Sequence, residues 1–485
     1  MHCIVPHGRR RAARRQQRGQ ALIYGMFVVI GALAALFFLF NTGQLSQEKT
    51  KLVNTADAVA YSAGVMHARA LNFSAYGNRA LVANEVLVAQ MVSLSSWAQY
   101  AETRVQNLPT QFPECLDSSG YSSVWTSGVK YGPDYALMCY AVVQYLGQYI
   151  EDVAKEVPDL TEKVVKAVEL NKTAIQQAHN LLHAPLYLQS LRAEVMQDVA
   201  RANYVHDGNV QVEPLGPGIA SALTDDWGSF TRKHSGQDRK RMAELARYAA
   251  HTDEFTRERK WDSFAVAPAC PLTLGRSRVI RGGGTDLVNY DEWIAQDTES
   301  WWEAQPRFFR CRYREKPIAY GEQQAHPEGQ DQDDSGASLG GARDNPQASN
   351  MTSSSHWTGY SGIPNYYDLS QQQLDKSDPA LRFSVRLVRA RSELRTSDGR
   401  SAIKASSDSR INAYKSKVAS DVMAAVATSE VYFERPIDQR ENLYGKTLSR
   451  PRELASLFNP YWRVRLVHSE TDVQAQQLLQ GASIP

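Results

Sequence analysis

The chain has 485 residues, and its 54 lysines and arginines against 52 acidic residues give a formal net charge of +2. Six of the basic residues are arginines before position 20, and without them 48 basic residues stand against 52 acidic ones. This composition shows no basic face, which argues against a nucleic-acid-binding protein, so no nucleic acid is expected among the partners.

Residues 21–40, ALIYGMFVVIGALAALFFLF, form a run without a charged residue or a proline. A helix of this length crosses a bilayer core of about 30 Å. Residues 1–20 are predicted to be a cytoplasmic tail, because arginines precede the run and the first acidic residue is Glu48. The arginines that set this topology are Arg9, Arg10, Arg11, Arg14, Arg15 and Arg18.

A cleaved signal peptide is the alternative interpretation, since it also joins basic residues to an apolar segment. The apolar segment of a signal peptide is usually about 7–15 residues long, which is shorter than the run at 21–40. The residues that follow, NTGQL at 41–45, lack a small-residue cleavage site. The sequence therefore favours a retained anchor that carries residues 41–485 across the membrane.

Residues 42–108 contain no proline, and small or apolar residues recur there at helical spacing. From Asp57 to Tyr100 only four residues are charged. A helix so poor in charge needs a partner face, from its own chain or from other subunits. We therefore predict a helical stalk over 41–108 that continues the membrane helix.

Two strings flank this junction: RGQAL at 18–22 and LVNTADAVAYSA at 52–63. Over about residues 15–70 they make the chain similar to the TadE/TadG-like family, the minor pilin-like subunits of the bacterial Flp (tight-adherence, Tad) pilus-assembly system. The residues that differ from the family pattern are Asn41, Val53, Thr55 and Val59. Pilin precursors of this class are cut after a glycine and carry Glu at the fifth mature position. Here the fifth residue after Gly19 is Tyr24, so the chain resembles the TadG-type members, which keep their anchor.

The resemblance implies contacts with inner-membrane lipid and with other pilin-like or pilus-assembly subunits, as a homo- or hetero-oligomer through the stalk. Close approach of such helices needs small residues. The candidate helix-packing residues are Leu52, Ala56, Asp57, Ala60, Ala63 and Gly64.

Four further regions follow the stalk. Residues 109–204 are predicted to be a helical region with a disulfide loop, which Pro185 splits into a helical hairpin. Short extended runs between glycines and prolines predict a small mixed α+β domain over 205–321. Residues 322–356, almost without aliphatic side chains, predict a disordered linker. Residues 357–485 are predicted to form a C-terminal α+β region.

Four of the five cysteines lie on the predicted exported side, where disulfides persist. Four cysteines allow three pairings, and proximity in the sequence favours Cys115–Cys139 and Cys270–Cys311. Four free buried thiols are the alternative. Cys3, in the predicted cytoplasmic tail, is expected to stay reduced.

Catalytic motifs are weak. His179 and His183 lie four residues apart, but the string HNLLH lacks the glutamate of a zinc-protease motif, which favours two polar residues on a helix flank. The glycines at 282–284 lack the Lys-Ser/Thr of a phosphate-binding loop and predict a tight turn. We therefore predict no enzyme, no cofactor and no metal.

The predicted fold class is α+β: a transmembrane helix, a helical stalk, a helical hairpin and a mixed exported body. The predicted function is that of a pilin-like protein of a Flp/Tad pilus or secretion apparatus. It would cross the bacterial inner membrane once, with its body in the periplasm or outside the cell. The rival hypotheses are a membrane-anchored envelope adhesin and an envelope enzyme of unknown substrate.

Overall fold

The computed structural model describes residues 20–111, 147–214, 227–270, 275–308, 310–329, 336–353, 355–397, 399–401, 403, 422–434, 440–441, 447–448, 453–471 and 473–474. The six arginines of the predicted tail and the cysteines at 115 and 139 lie outside these ranges. The chain is an α+β protein with a long apolar N-terminal helix and a sheet-rich body.

The first element is a single helix, α1 (Gln20–Gln111), of 92 residues. At 1.5 Å per residue it is about 138 Å long. The continuous helix predicted from the anchor into residues 41–108 is present. It is not a stalk that stands apart from the body, because almost every other element packs along it.

Two helices run antiparallel to α1: α2 (Gly147–Leu182) and α3 (Pro185–Asn203). Contacts at 3.1–3.2 Å join Glu151 to Gln106, Asn171 to Asn84 and Arg192 to His67, so the partner on α1 moves steadily back toward the apolar end. The predicted hairpin is therefore wrong. Pro185 does separate the two helices, but they follow one another along α1 and each packs on it, because α1 offers both an apolar face.

A four-stranded antiparallel sheet covers the half of α1 nearer the apolar segment. Its strand order is β1-β9-β10-β13. Strand β9 alternates, with Phe383, Val385 and Leu387 buried toward the helix. The strands are β1 (Gln211–Pro214), β9 (Ala380–Ala390), β10 (Val422–Phe433) and β13 (Trp462–Val467).

A five-stranded sheet covers the other half of α1, in the order β3-β4-β5-β6-β7, antiparallel except for the last pair. Helix α1 crosses it so closely that a Cβ on Gly321 would lie 2.3 Å from the carbonyl oxygen of Ser96. The strands are β3 (Trp261–Cys270), β4 (Gly275–Val288), β5 (Glu292–Arg307), β6 (Arg310–Ala325) and β7 (Ser355–Trp357).

Short elements complete the described body. Strands β2 (Thr231–His234) and β8 (Tyr366–Leu369) pair with each other, as do β11 (Arg440–Glu441) and β12 (Thr447–Leu448). The remaining helices are α4 (Trp227–Phe230), α5 (Lys240–Ala250), α6 (Glu254–Arg257), α7 (Pro346–Ser349) and α8 (Gln371–Leu374).

The linker predicted over 322–356 is wrong for its described residues. They form the end of β6, a 3₁₀ turn at Ala342–Asp344, helix α7 and strand β7. Buried hydrogen bonds replace the missing aliphatic side chains: Gln323 binds the Ser95 hydroxyl at 2.8 Å and the Ser355 carbonyl at 2.9 Å. Polar side chains can line a core when each has a partner there.

The predicted boundary between 205–321 and 357–485 also needs correction. Strand β1 pairs with β9, and β2 pairs with β8, so both regions contribute strands to the same sheets. The apolar faces of these strands are covered by α1 rather than by neighbours in sequence. The body is therefore organised along α1 and not as consecutive domains.

Candidate functional site

The apolar end of α1 is the first candidate site. Within the described residues, α1 is the one helix long and apolar enough to cross a membrane, by length and composition. Its most apolar 18-residue window has a mean hydropathy of 2.6 and is covered by none of the other described residues. Side chains such as Leu22, Phe27 and Leu33 are largely exposed. A helix that is apolar all round and uncovered fits a hydrocarbon environment.

An ionic cluster marks the point where α1 enters the body. We call it the junction cluster: Glu48, Lys51, Asp207, Arg389 and Arg395. Arg389 pairs with Glu48, while Asp207 lies 2.5 Å from Lys51 Nζ and 2.8 Å from an Nη of Arg395. Burial raises the pKa of Asp207, but its hydrogen bonds and the Arg389 charge outweigh burial and leave that pKa below its ordinary value.

The junction cluster ties three distant segments to α1. The same region holds Asn41, whose side-chain oxygen accepts a 3.0 Å hydrogen bond from the Ser397 backbone N–H. The start of the body is thus fixed to the end of the apolar segment by charge and by hydrogen bonds.

The predicted helix-packing residues lie mainly on the inner face of α1. Leu52, Ala56, Ala60 and Ala63 are buried against the four-stranded sheet and α3. A Cβ on Gly64 would lie 2.7 Å from a methyl carbon of Val464 on β13. The small residues do permit close approach, as predicted, but the partner is the chain's own body. These residues are therefore not available to another subunit.

Asp57 is the exception among those residues. Its side chain is half-buried, and burial raises the pKa of its carboxyl group. It lies at the border between the inner face of α1 and the face that no other element covers. Asp57 is thus the one predicted residue placed beside an accessible surface.

The strip of α1 that the described residues leave most exposed is the second candidate site. We call it the open face: Tyr61, Arg69, Phe73 and Tyr76, which are exposed, with Ala58 and Val65, which are half-buried. Its three aromatic side chains are exposed by 46%, 51% and 62% for Tyr61, Phe73 and Tyr76. Phe73 touches the His179 ring of α2 at one border, and Asn72 binds the Trp462 carbonyl at the other. Between these borders the aromatic side chains and Arg69 are exposed, and the strip begins 18 residues, about 27 Å, beyond Phe40 on the same helix.

Sequence reasoning missed the open face because it followed the small residues and not the aromatic ones. Tyr61, Val65, Arg69, Phe73 and Tyr76 recur at three- and four-residue spacing, which places them on one helical face. Aromatic residues on an exposed helical strip are the signal that could have identified it.

Of the two histidines, His179 is buried and His183 is half-buried, and both pack between α2 and α1. His183 Nε2 lies 2.9 Å from the Ser74 hydroxyl and its ring stacks on Tyr367, with centroids 4.0 Å apart. His179 lies against Gly77 of α1. Burial lowers the pKa of His179 to about 4, and burial together with the neighbouring imidazole lowers that of His183 to about 3. Within the described ranges, no group of three or more His, Cys, Asp or Glu side chains could hold a metal ion.

Cys270 and Cys311 form a disulfide with a Cα–Cα distance of 5.8 Å, which is the pairing that proximity favours. It joins β3 to the start of β6. The other pairing, Cys115–Cys139, falls outside the described residues and stays a prediction.

Comparison with known proteins gives one match. Residues 19–70 match the Tad family model, described as "Putative Flp pilus-assembly TadE/G-like". The matched segment contains the apolar run, the α1 side of the junction cluster and the beginning of the open face. No curated protein and no solved structure matches the chain.

Proposed function

We propose that this chain is a single-pass, pilin-like membrane protein that takes part in Flp/Tad-type pilus assembly or in the related secretion apparatus. The family match at residues 19–70 and the apolar segment inside it support the assignment. The proposal adds what the match leaves open: the orientation, the compartment and the surface that meets other subunits.

The proposed orientation places the N-terminus in the cytoplasm and the body in the periplasm or outside the cell. Six arginines precede the apolar run, and no acidic residue does. This distribution of charge supports the proposed direction. The Cys270–Cys311 disulfide supports an oxidising compartment for the body, since cytosolic proteins rarely keep one.

The proposed contact surface is the open face, and its proposed occupant is the apolar helix of another pilin-like subunit. One observation carries this step: the open face continues the membrane segment on the same uninterrupted helix. A partner helix that lies beside the anchor in the bilayer would pass residues 41–57 on leaving it and would then meet Ala58 and Tyr61. Arg69 offers a cation in the middle of an otherwise apolar strip.

The proposal contains no catalytic step. Two buried carboxylates of α1 support this choice because each already has basic and hydrogen-bonding partners. Glu48 pairs with Arg389, and Glu85 lies 2.7 Å from Lys172 Nζ. Such groups are engaged in structure, so they offer no vacant acid or base to a substrate.

The test combines a deletion with matched point variants. Deleting the gene should abolish sheared surface pili. In a strain that carries a tagged copy of the gene, the protein should stay in the inner-membrane fraction. Tyr76→Glu should reduce pili while the protein level is unchanged, because it places a charge on the open face. Tyr248→Glu is the control, since Tyr248 on α5 is 75% exposed and far along the chain from that face. Normal pili in the deletion strain would refute the proposed function.

A further inference from the structure

The far end of the β5–β6 hairpin carries a cluster of exposed arginines. The residues that we call the arginine tip are Arg276, Arg278, Arg307, Arg310, Arg312 and Arg314, all exposed. Four of them lie on the two hairpin strands, where Arg307 pairs with Arg310 and Gln305 with Arg312. Strand β4 adds the other two at the same end of the sheet, where Arg278 pairs with Trp302 and therefore lies on the opposite face from Arg312 and Arg314.

An aromatic ring stands at the apex of this tip. Phe308 is 96% exposed and has a φ of 45°, in the left-handed region that side chains other than glycine rarely adopt. Tyr313, 41% exposed, lies lower on the same hairpin. A single exposed apolar ring is common on protein surfaces, but this one lies directly beside the Arg307–Arg310 pair at the apex.

The charges of the tip are not neutralised within the described residues. None of the six guanidinium groups has a carboxylate partner there. The nearest carboxylate along β5, Glu303, already faces Lys316 at 3.4 Å and accepts a hydrogen bond from Gln305. The tip is therefore a surface with a strong positive potential and an apolar apex.

The tip lies far from the anchor. Strand β5 runs along α1 away from the apolar segment, since Trp293 meets Glu85 while Glu299 meets Tyr100 further along the helix. Sixty helical residues separate Phe40 from Tyr100, which is about 90 Å. The hairpin continues eight residues beyond Glu299, about 26 Å more. This distance prevents the tip from touching the bilayer that holds the anchor.

The disulfide fixes the hairpin just below its apex. Cys311 is the second residue of β6, and its bond to Cys270 joins the hairpin to β3. A Cβ on Gly275, the first residue of β4, would lie 2.7 Å from the Cys311 sulfur, so three strands converge below the apex. The protruding residues are therefore held on a cross-linked support.

We propose that the arginine tip and Phe308 dock on a second, anionic lipid surface, distinct from the membrane that holds the anchor. The guanidinium groups bind lipid phosphates, and the phenyl ring enters the boundary of the acyl chains. A nucleic acid or an acidic protein would also attract the charges. The tip is convex and two strands wide, with its ring at the apex, whereas nucleic-acid backbones are bound along grooves. This shape favours a flat bilayer as the occupant.

The test uses the full chain in nanodiscs of zwitterionic lipid, mixed with separate vesicles. The chain should float with vesicles that contain about 30% phosphatidylglycerol and not with pure phosphatidylcholine vesicles, and added salt should weaken this binding. Arg310→Gln with Arg312→Gln should lower binding about 25-fold, at about fivefold for each charge. Phe308→Ser should lower it about tenfold through loss of apolar burial.

Two control variants remove equal groups elsewhere. Arg201→Gln with Arg257→Gln removes two exposed charges, and Tyr248→Ser removes an exposed ring. Neither should change vesicle binding. The proposal is overturned if the controls lose as much binding as the tip variants, or if the anionic vesicles do not bind. It is also overturned if heparin or single-stranded DNA binds as tightly and Phe308→Ser has no effect. No pilus component is present in this assay, so its outcome does not depend on the proposed pilus function.

Discussion

The carboxylate of Glu85 on α1 lies 2.7 Å from the ammonium group of Lys172 on α2, and neither side chain is more than 2% exposed. The second oxygen of Glu85 accepts hydrogen bonds from Trp293 Nε1 at 3.0 Å and from the Tyr360 hydroxyl at 2.6 Å. Lys172 also binds the Gly362 carbonyl at 2.8 Å. One buried carboxylate thus joins the central helix, its antiparallel neighbour, the five-stranded sheet and the chain near Tyr360.

Glu85→Gln should therefore destabilise the body strongly. Lys172 keeps Glu169 at 2.7 Å as its other carboxylate partner, so the loss should be that of one charged hydrogen-bonding partner, about 1.5–3 kcal/mol of unfolding free energy. Adding Lys172→Met should recover part of that loss, since the buried ammonium group that Glu85 helped to neutralise is then gone. Urea unfolding of the full chain in detergent, followed by tryptophan fluorescence, measures both. Equal stability of Glu85→Gln and the wild type would contradict the role of the pair.

The two faces of α1 can be separated by one matched pair of variants. Ala60→Leu should lower the unfolding free energy by about 1–3 kcal/mol, because a larger side chain does not fit a closely packed interior. Ala58→Leu, two residues away on the open face, should leave stability within about 0.5 kcal/mol and alter pilus assembly instead. The assignment of faces fails if the two variants exchange these effects.

The free energy of unfolding should fall as the pH falls, because His179 is buried in its neutral form. The pKa of His179 is about 4 in the folded chain, against about 6.5 when exposed, so only the unfolded state binds the proton between these values. The free energy of unfolding therefore keeps the full contribution of neutral His179 above pH 6.5, and it loses this contribution as the pH falls toward 4. Between pH 7 and pH 5 the loss from this residue is about 2 kcal/mol.

His179→Leu is the check on this pH dependence. Leucine at position 179 still fills the space against α1, but it has no group that binds a proton. Its stability should vary less between pH 7 and pH 5 than that of the wild type, with the remaining slope due to His183 and other groups. An unchanged slope would show that His179 does not carry the effect.

The disulfide closes a loop between residues 41 positions apart. Replacing both cysteines, Cys270→Ser with Cys311→Ser, should lower the unfolding free energy by about 2–4 kcal/mol. Treatment of the wild type with a reducing agent should produce the same loss and should not affect the double variant further. If the reducing agent lowers the unfolding free energy of the double variant by as much as that of the wild type, the loss comes from a disulfide other than Cys270–Cys311.

The start of the chain is where the sequence predicted most. An uncharged run, the arginines before it and two short strings were enough to predict the long apolar helix and the family match, because each is local in sequence. The spacing of Leu381, Phe383, Val385 and Leu387 likewise indicated the buried face of β9, since alternation is a local property.

The sequence could not predict contacts between residues that lie far apart in the chain. Small residues at Ala60 and Gly64 predicted close approach, but nothing local shows that β10 and β13, more than 360 residues later, supply the opposing surface. The same limit explains the false linker. Asn345 is polar, and only the fold reveals that its amide donates to the Ile280 carbonyl in a buried site. Composition treats such a residue as exposed.

The central claim is that the open face of α1 meets another pilin-like helix, and photo-crosslinking in cells tests it most directly. A photoreactive residue at Tyr76 should give a crosslink to a pilin-like subunit, and one at Tyr248 should give none. If the added substitution Tyr61→Glu removes the crosslink from position 76, the partner helix contacts both ends of the open face. Crosslinks of equal yield from both positions, or none from Tyr76 while pili assemble normally, would contradict the claim.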